Sequence, residues 1–303
     1  MSKIKKVQIR NGFSDRNNID KLNETLQIDS FDERTRIQMY NYFSYIFNDR
    51  GYMVDYENLY IDILLDVYCE IIDNYDAYSI SIYIRKCKEY IKSTFLHDRY
   101  DAVLSLIEYL VNRIDSDRSR VAPKIVYDSN GNGKCVHLQE VINELFEKEC
   151  VGYRFVGKKI VAITDRIEIE EIEESLQSEY EGCRAHLEKA VGFLADREQK
   201  DYKNSIKESI SAVESICCII ADKRKATLGD ALNILERKCG LKGQLKSAFE
   251  KLYAYTNNDK GGIRHAEGVL VSEVSFEEAK FMLVSCSAFV NYLIAEYGKA
   301  AKD

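Results

Sequence analysis

The sequence predicts a mainly α protein, with a helical bundle at each end and a small helix and β-hairpin insert between them. The 303 residues contain a single proline, Pro123, so few positions interrupt a helix. Apolar residues recur three and four positions apart in both terminal thirds, which is the period of an amphipathic helix. Because the chain is longer than a usual single core, we expect separate units. We place these units at residues 1–118, 119–177 and 178–303.

The first unit is expected to be a helical bundle. Ser30 and Glu33 have the spacing of a capping box and predict a helix over residues 31–48. A further helix is expected over residues 102–114. Between them lie two more helical patterns, with apolar positions Leu59, Ile63, Val67 and Ile71, and then Ile80, Ile84, Cys87 and Ile91.

The middle unit has a different pattern of short extended stretches. Residues 124–127 are extended, residues 129–133 form a turn, and residues 141–146 favour a short helix. Residues 153–156 and 159–163, separated by a glycine-lysine pair, predict a β-hairpin. We interpret this unit as a structural insert, with a role in nucleic-acid recognition as the alternative.

The last unit is expected to be a compact four-helix bundle. Its first helix should also connect it to the middle unit. Ser275 and Glu278 have the spacing of a helix start, and Gly240 and Gly298 lie where helices should end. The four predicted segments are residues 179–197, 201–222, 228–253 with a break, and 276–297.

Charge and cysteine usage exclude several classes of function. The formal charge of −7 gives no overall attraction for nucleic acid, so only a local basic patch could supply one. Residues 223–225 are such a patch, although ordinary charged helix ends explain it as well. The glutamates of residues 168–174 are interpreted as a solvated face. The nine cysteines lack the spaced pairs of a zinc site, so we expect buried reduced thiols, no metal and no cofactor.

No targeting or membrane segment is predicted. The first ten residues lack the apolar stretch of a secretory signal, and no uncharged apolar run approaches 18 residues. A cytoplasmic protein without a membrane contact is therefore expected. His97, His137 and His186 are isolated in the sequence and are interpreted as structural or surface residues.

The candidate catalytic residues are Arg264 and His265, which lie in a polar, glycine-rich stretch of the last unit. Arginine offers a permanent forked charge for a phosphate, and histidine can move a proton near neutral pH. These groups suffice for RNA cleavage, in which a ribose 2′-hydroxyl attacks its own phosphate. Neighbouring residues on a helix point about 100° apart, so either the segment is irregular or a second chain completes the site. A structural role for this pair is the alternative.

Several motifs resemble those of a known family. Residues 13–17 (FSDRN) and 26–36 (LQIDSFDERTR) resemble the N-terminal domain of AbiJ-like abortive infection proteins. Residues 205–215, 225–229 and 262–266 are similar to the HEPN part of those proteins. The resemblance implies a phage-defence protein with a C-terminal HEPN domain that cleaves RNA as a homodimer, without a metal, and for which a phage-derived trigger is a candidate partner.

The resemblance also implies roles for individual residues. Arg264 would bind the phosphate and His265 would act as base or acid. The usual HEPN motif has four to six residues between arginine and histidine, whereas here the two are adjacent. The candidate supporting residues are Asn258, Asp259, Glu214 and Lys207, of which the last two could equally form a solvated helix face. Two alternatives therefore remain: a catalytically inactive scaffold that binds RNA or protein, and an N-terminal effector with a bundle that only dimerises.

Overall fold

The computed structural model describes most of the chain. The described residues are 8–10, 12–19, 21–22, 24–48, 56–116, 124–127, 133–196, 201–222, 228–238, 241–256 and 274–300. Within them the protein is mainly helical, which confirms the predicted fold class. The predicted turn over residues 129–133 and the predicted helix end at Gly240 lie largely or wholly outside the described residues.

The chain divides into two compact units, residues 1–158 and residues 159–303. The elements of the first are α1 (Phe13–Arg16), α2 (Glu33–Asn48), α3 (Tyr56–Asp66), α4 (Ala77–His97), α5 (Tyr100–Ser116), β1 (Lys124–Tyr127), β2 (Gly133–Val136), α6 (Leu138–Lys148) and β3 (Arg154–Val156). The elements of the second are β4 (Lys159–Val161), α7 (Arg166–Leu176), α8 (Glu181–Ala195), α9 (Tyr202–Ile220), α10 (Leu228–Lys238), α11 (Gly243–Thr256) and α12 (Phe276–Ala300). The finer division at residues 118 and 177 stays a prediction.

Both small sheets have two strands. β1 pairs with β2 in antiparallel register, and the sequence had indicated only the first of these strands. β3 and β4 form the predicted hairpin. Its turn contains Gly157 at a φ of 57°, a left-handed conformation that glycine adopts without the strain a side chain would cause.

The core of the first unit contains a group of packed aromatic rings among aliphatic side chains. Phe43 of α2 and Phe95 of α4 are fully buried, with ring centroids 5.5 Å apart.

The predicted start of α2 was wrong by two positions. Asp32 caps this helix, because its carboxylate accepts a hydrogen bond from the backbone N–H of Thr35 at 2.7 Å, whereas Ser30 is exposed and precedes it.

The predicted helix through Val67 and Ile71 was also wrong, since α3 ends at Asp66. The backbone N–H of Glu70 donates to the carbonyl of Leu64 at 2.9 Å, which closes the last turn. Cys69 then takes a left-handed φ of 49°, which a continuing helix cannot accommodate. Ile71 consequently lies outside the helix and is exposed.

The second unit is built around α9. This helix buries residues on several sides and packs against α8, α10, α11 and α12. Ser275 and Glu278 form the predicted capping box at the start of α12, each side chain bonded to the other's backbone N–H. Gly298 does not end that helix, which continues to Ala300.

Two expectations about the start of this unit held only in part. The predicted helix over residues 179–197 is α8. α7 and α8 are separate helices with Gln177–Tyr180 between them, so no single helix connects the middle of the chain to the bundle. Among the glutamates of α7, Glu170 and Glu174 are exposed as expected, whereas two others contact α12. Glu168 pairs with Lys280 of α12 at 2.9 Å, and Glu171 accepts a hydrogen bond from Asn291 of α12.

Within the described part of the chain, α12 is the one helix long and apolar enough to cross a membrane, with a mean hydropathy of 1.2 over Phe276–Lys299. Length and composition alone do not distinguish a membrane-spanning helix from the core helix of a soluble protein, because both pass the same test. α12 packs against α7, α8 and α9.

Candidate functional site

The most extensive helix contact described in the second unit is between α8 and α9, which run antiparallel. The Ser205 hydroxyl of α9 donates a hydrogen bond to the carbonyl of Ala190 at 2.8 Å. At the other end of the pair, a Cβ added to Gly182 would lie 2.9 Å from Oγ of Ser215. Small side chains at both points allow the two helix backbones to approach each other.

This register places His186 of α8 beside Glu208 of α9. The imidazole Nδ1 lies 2.7 Å from Oε2 of the carboxylate, and both side chains are partly exposed. An ionised carboxylate can only accept hydrogen bonds, so such a carboxylate would select the tautomer of His186 that has its N–H at Nδ1.

Lys207 and Glu214, both named as supporting residues from the sequence, lie on one face of α9. They are seven residues apart, which is about two helical turns. Lys207 is exposed and Glu214 is partly buried. Glu208 is one position further round the helix, so the His186–Glu208 pair borders this polar face.

Arg264, His265, Asn258 and Asp259 lie outside the described residues, so their positions relative to α9 stay a prediction. The residues that flank residues 257–273 are described.

Tyr255 and Glu278 come from the two sides of that stretch. The Tyr255 hydroxyl donates to Oε1 of Glu278 at 2.6 Å. This hydrogen bond is the main cause that raises the pKa of Tyr255 to about 12. The pKa of Glu278 is lowered, chiefly by the backbone N–H of Ser275. The end of α11 and the start of α12 are therefore held at hydrogen-bonding distance.

The expectation of buried thiols was wrong for Cys69, which is exposed, and for Cys150 and Cys218, which are partly exposed. Three other thiols, all in the bundle, are not candidate nucleophiles. Cys183, Cys217 and Cys286 are fully buried, as expected. Burial raises the pKa of all three, that of Cys183 to about 12, so they stay protonated near neutral pH. Among the residues that the structure describes, no group of three histidine, cysteine or acidic side chains could hold a metal ion.

The first unit has a polar cluster of another kind, centred on the buried Glu149 after α6. The Arg34 guanidinium forms two hydrogen bonds to its carboxylate, both at 3.0 Å, and Arg10 approaches at 3.4 Å. The backbone carbonyl of Glu149 accepts a hydrogen bond from the Gln27 side chain, which also donates to the hydroxyl of Thr35. We call Arg10, Gln27, Arg34, Thr35 and Glu149 the Glu149 network.

A family model, AbiJ N-terminal domain 4, matches residues 11–178, which is more than half of the 303-residue chain. The chain belongs to this family. The match confirms the AbiJ-like N-terminal domain that the sequence motifs indicated, and it supports a role in abortive infection, that is, in phage defence. Neither a search of curated proteins nor a search of solved structures gave a match.

The motifs by which this AbiJ chain was recognised are structural in the first unit. Residues 26–36 supply Gln27, Arg34 and Thr35 to the Glu149 network. Residues 13–17 supply Asp15, which is buried and accepts a hydrogen bond from the backbone N–H of Leu22. Gln27 and Arg34 join segments that are over 100 residues apart, whereas Asp15 stabilises the chain close to itself.

Sequence reasoning missed His186, which it treated as isolated. Its partner is 22 residues away on the next helix, and the pair forms only because α8 and α9 pack side by side. Aligning the two predicted helices as an antiparallel hairpin about the residues between them would have brought positions 186 and 208 to within about one helical turn of each other. The sequence could therefore have indicated this pair, but only after the two helices were assumed to pack side by side.

Proposed function

We propose that this AbiJ chain is a cytoplasmic abortive-infection effector whose C-terminal bundle is a HEPN domain that cleaves RNA without a metal ion. The main support is the combination of AbiJ family membership with a second unit of helices organised around α9. The sequence similarity of residues 205–215 and 262–266 to HEPN proteins assigns the activity to this unit.

In the proposed reaction, the 2′-hydroxyl of a ribose attacks the adjacent phosphorus. The new O–P bond forms as the bond to the 5′-oxygen of the next nucleotide breaks, which leaves a cyclic phosphate and a free 5′-hydroxyl. His265 removes or supplies a proton, and Arg264 stabilises the charge that develops on the phosphoryl oxygens. Lys207 could contact the RNA backbone, and Glu214, Asn258 and Asp259 would position the reacting groups.

The proposed active form is a homodimer. Adjacent arginine and histidine side chains would point in different directions on a regular helix, and in the proposed dimer the second chain supplies the group that one chain cannot direct at the phosphate.

The test is RNA cleavage by the purified full-length protein in a buffer with a metal chelator. We expect the wild type to cleave and both Arg264→Ala and His265→Ala to lose activity, because each removes one of the two essential groups. His97→Ala is the matched control, since it removes an exposed histidine of the first unit. Circular dichroism and sedimentation would establish that each variant is folded and has the wild-type oligomeric state.

The rival function is an inactive scaffold that binds RNA or protein during phage defence. The adjacency of Arg264 and His265 favours it, because the usual motif separates the two residues. Wild-type protein that binds RNA but does not cleave it, or cleavage that is indifferent to both substitutions, would favour the scaffold and contradict the ribonuclease.

A further inference from the structure

The connection between α3 and α4 in the first unit has an unusual exposed surface. Ile71, Tyr75 and Tyr78 are 78%, 63% and 76% exposed, which is high for large apolar and aromatic side chains. All three lie within eight consecutive residues. Four residues of extended chain reach about 14 Å at most, so Ile71 and Tyr75 belong to one small surface. Isolated exposed apolar residues are common, but a cluster of three indicates an interaction site.

Both ends of this cluster are held in place. On the α3 side, the Glu70 carboxylate accepts hydrogen bonds from Lys86 and from the Tyr90 hydroxyl, both at 2.7 Å. On the α4 side, Asp76 caps the helix by accepting hydrogen bonds from the backbone N–H groups of Tyr78 and Ser79. The exposed side chains therefore extend from an ordered backbone, which reduces the entropy lost on binding.

The segment that carries the cluster is acidic, although the exposed Arg85 lies two turns after Tyr78 on the same face of α4. Residues 66–84 contain no basic residue and four acidic ones, Asp66, Glu70, Asp73 and Asp76. Glu70 is neutralised by Lys86, whereas Asp73 and Asp76 are exposed beside Tyr75. Arg85, one turn along α4 beyond Ile82, is the first basic residue after the cluster. The surface thus combines aromatic and apolar anchors with negative charge.

We propose that Ile71, Tyr75 and Tyr78, with Asp73 and Asp76, form a docking surface for a basic, amphipathic segment of another polypeptide. Tyrosine is enriched at the centres of protein interfaces because it buries a large area and still offers a hydrogen-bonding hydroxyl. The apolar face of the segment would cover Tyr75 and Tyr78, and its lysines or arginines would pair with Asp73 and Asp76. We name this group of five residues the tyrosine-acid surface.

Negative charge decides between the classes of partner. RNA phosphates and anionic lipid headgroups would be repelled by Asp73 and Asp76. A second copy of this chain using the same surface would bring like charges together. A cationic polypeptide is the occupant that gains from both the carboxylates and the aromatic rings. In this AbiJ chain the surface would give the N-terminal domain a protein contact that does not depend on any ribonuclease activity of the second unit.

The test is binding of a defined probe to the full-length protein, measured by fluorescence anisotropy. The probe is a labelled synthetic helix of about 15 residues, with leucine and tyrosine on one face and lysine on the other. We expect the double variant Tyr75→Ser/Tyr78→Ser to bind it roughly tenfold more weakly, because two anchors are lost. We expect Asp73→Asn to weaken binding about threefold, with a smaller salt dependence.

Two controls make the test specific. Ile167→Ser removes an equally exposed apolar side chain from α7 in the second unit and should leave binding unchanged. A probe with glutamate in place of each lysine should bind the wild type far more weakly. Circular dichroism should be unchanged for every variant, since the substituted side chains are exposed.

Equal binding of the probe to the wild type and to the Tyr75→Ser/Tyr78→Ser variant would overturn the proposal. So would equal binding of the glutamate probe. The same proteins should be tested with single-stranded RNA, with vesicles containing an anionic lipid, and for self-association by sedimentation. Suppose that the double variant still binds the peptide but no longer binds RNA, vesicles or a second copy of the chain. The surface would then serve that other interaction, and the proposal would be contradicted.

Discussion

The two units of this protein use charged side chains in different ways. In the first unit, Glu149 is buried with two arginines, and this network joins the N-terminal segment to the end of α6. In the second unit, the pairs Lys280–Glu168 and His186–Glu208 lie at the edges of helix contacts and remain partly exposed to water. The contacts between the helices there are made by apolar and small side chains.

The difference matters because burial decides what an ion pair contributes. Removing either side of a buried ion pair leaves the other side as an uncompensated charge with little access to water. An exposed pair can exchange its partner for water at little cost. The Glu149 network therefore specifies one arrangement of distant segments, whereas the pairs of the second unit adjust a bundle that apolar packing already defines.

The largest expected effect is that of Glu149→Gln. It removes the charge that Arg10 and Arg34 share and should lower the free energy of unfolding of the first unit by about 3–5 kcal/mol. Urea unfolding would measure it, with Glu24→Gln as a control, because the Glu24 pair with Lys21 is exposed. A loss below about 1 kcal/mol would mean that the buried network is no more important than a surface pair.

A smaller effect is expected for Lys280→Met in the second unit. The Lys280–Glu168 pair is about a third exposed, and methionine retains much of the apolar stem, so the loss should be between about 0 and 1 kcal/mol. The same urea unfolding experiment applies. Combining this substitution with Glu168→Gln should cost little more than either alone. If Lys280→Met lowered the free energy of unfolding as much as Glu149→Gln does, ion pairs in the two units would not differ in their contribution to stability.

The smallest effects concern two tyrosines whose pKa is raised to about 12 for different reasons. For Tyr68 of the first unit the main cause is burial, while for Tyr255 of the second it is the hydrogen bond to Glu278. Glu278→Gln should therefore move the pKa of Tyr255 back towards 10. Thr94→Val should not lower the pKa of Tyr68, because the Thr94 hydroxyl opposes the effect of burial.

NMR titration of ring-labelled tyrosine, assigned with Tyr68→Phe and Tyr255→Phe, would measure both values. The pKa of each folded-state phenol lies above the ordinary value, so each adds stability that is complete below about pH 10 and is lost as the pH rises towards 12. A pKa of Tyr255 that is unchanged by Glu278→Gln would show that burial, and not the hydrogen bond between α11 and α12, raises it.

Local pattern predicted much of the fold. The presence of α2, α5 and α9 follows from apolar spacing, and the capping box at Ser275 follows from two residues three apart. The end of α3 could not be predicted in this way. Its apolar positions continue to Ile71, but the left-handed Cys69 and the tertiary contacts of Glu70 end the helix earlier. Apolar spacing within one segment contains no information about a hydrogen bond to another helix.

The candidate site was predicted only in part, and for the same reason. The sequence placed Lys207 and Glu214 on one side of a helix, which seven-residue spacing alone requires, and it left Arg264 and His265 as predictions. It did not pair His186 with Glu208, because that contact needs the register of α8 against α9.

The sequence by itself determined the mainly helical class, the AbiJ relationship and the residue types available for RNA chemistry, since each depends on local spacing or on motifs read along the chain. Tertiary structure decided which charges are buried, where α3 ends, and that Ile71, Tyr75 and Tyr78 are exposed together beside acidic residues. Burial and long-range hydrogen bonds depend on which segments pack together in space, and apolar periodicity carries no information about that.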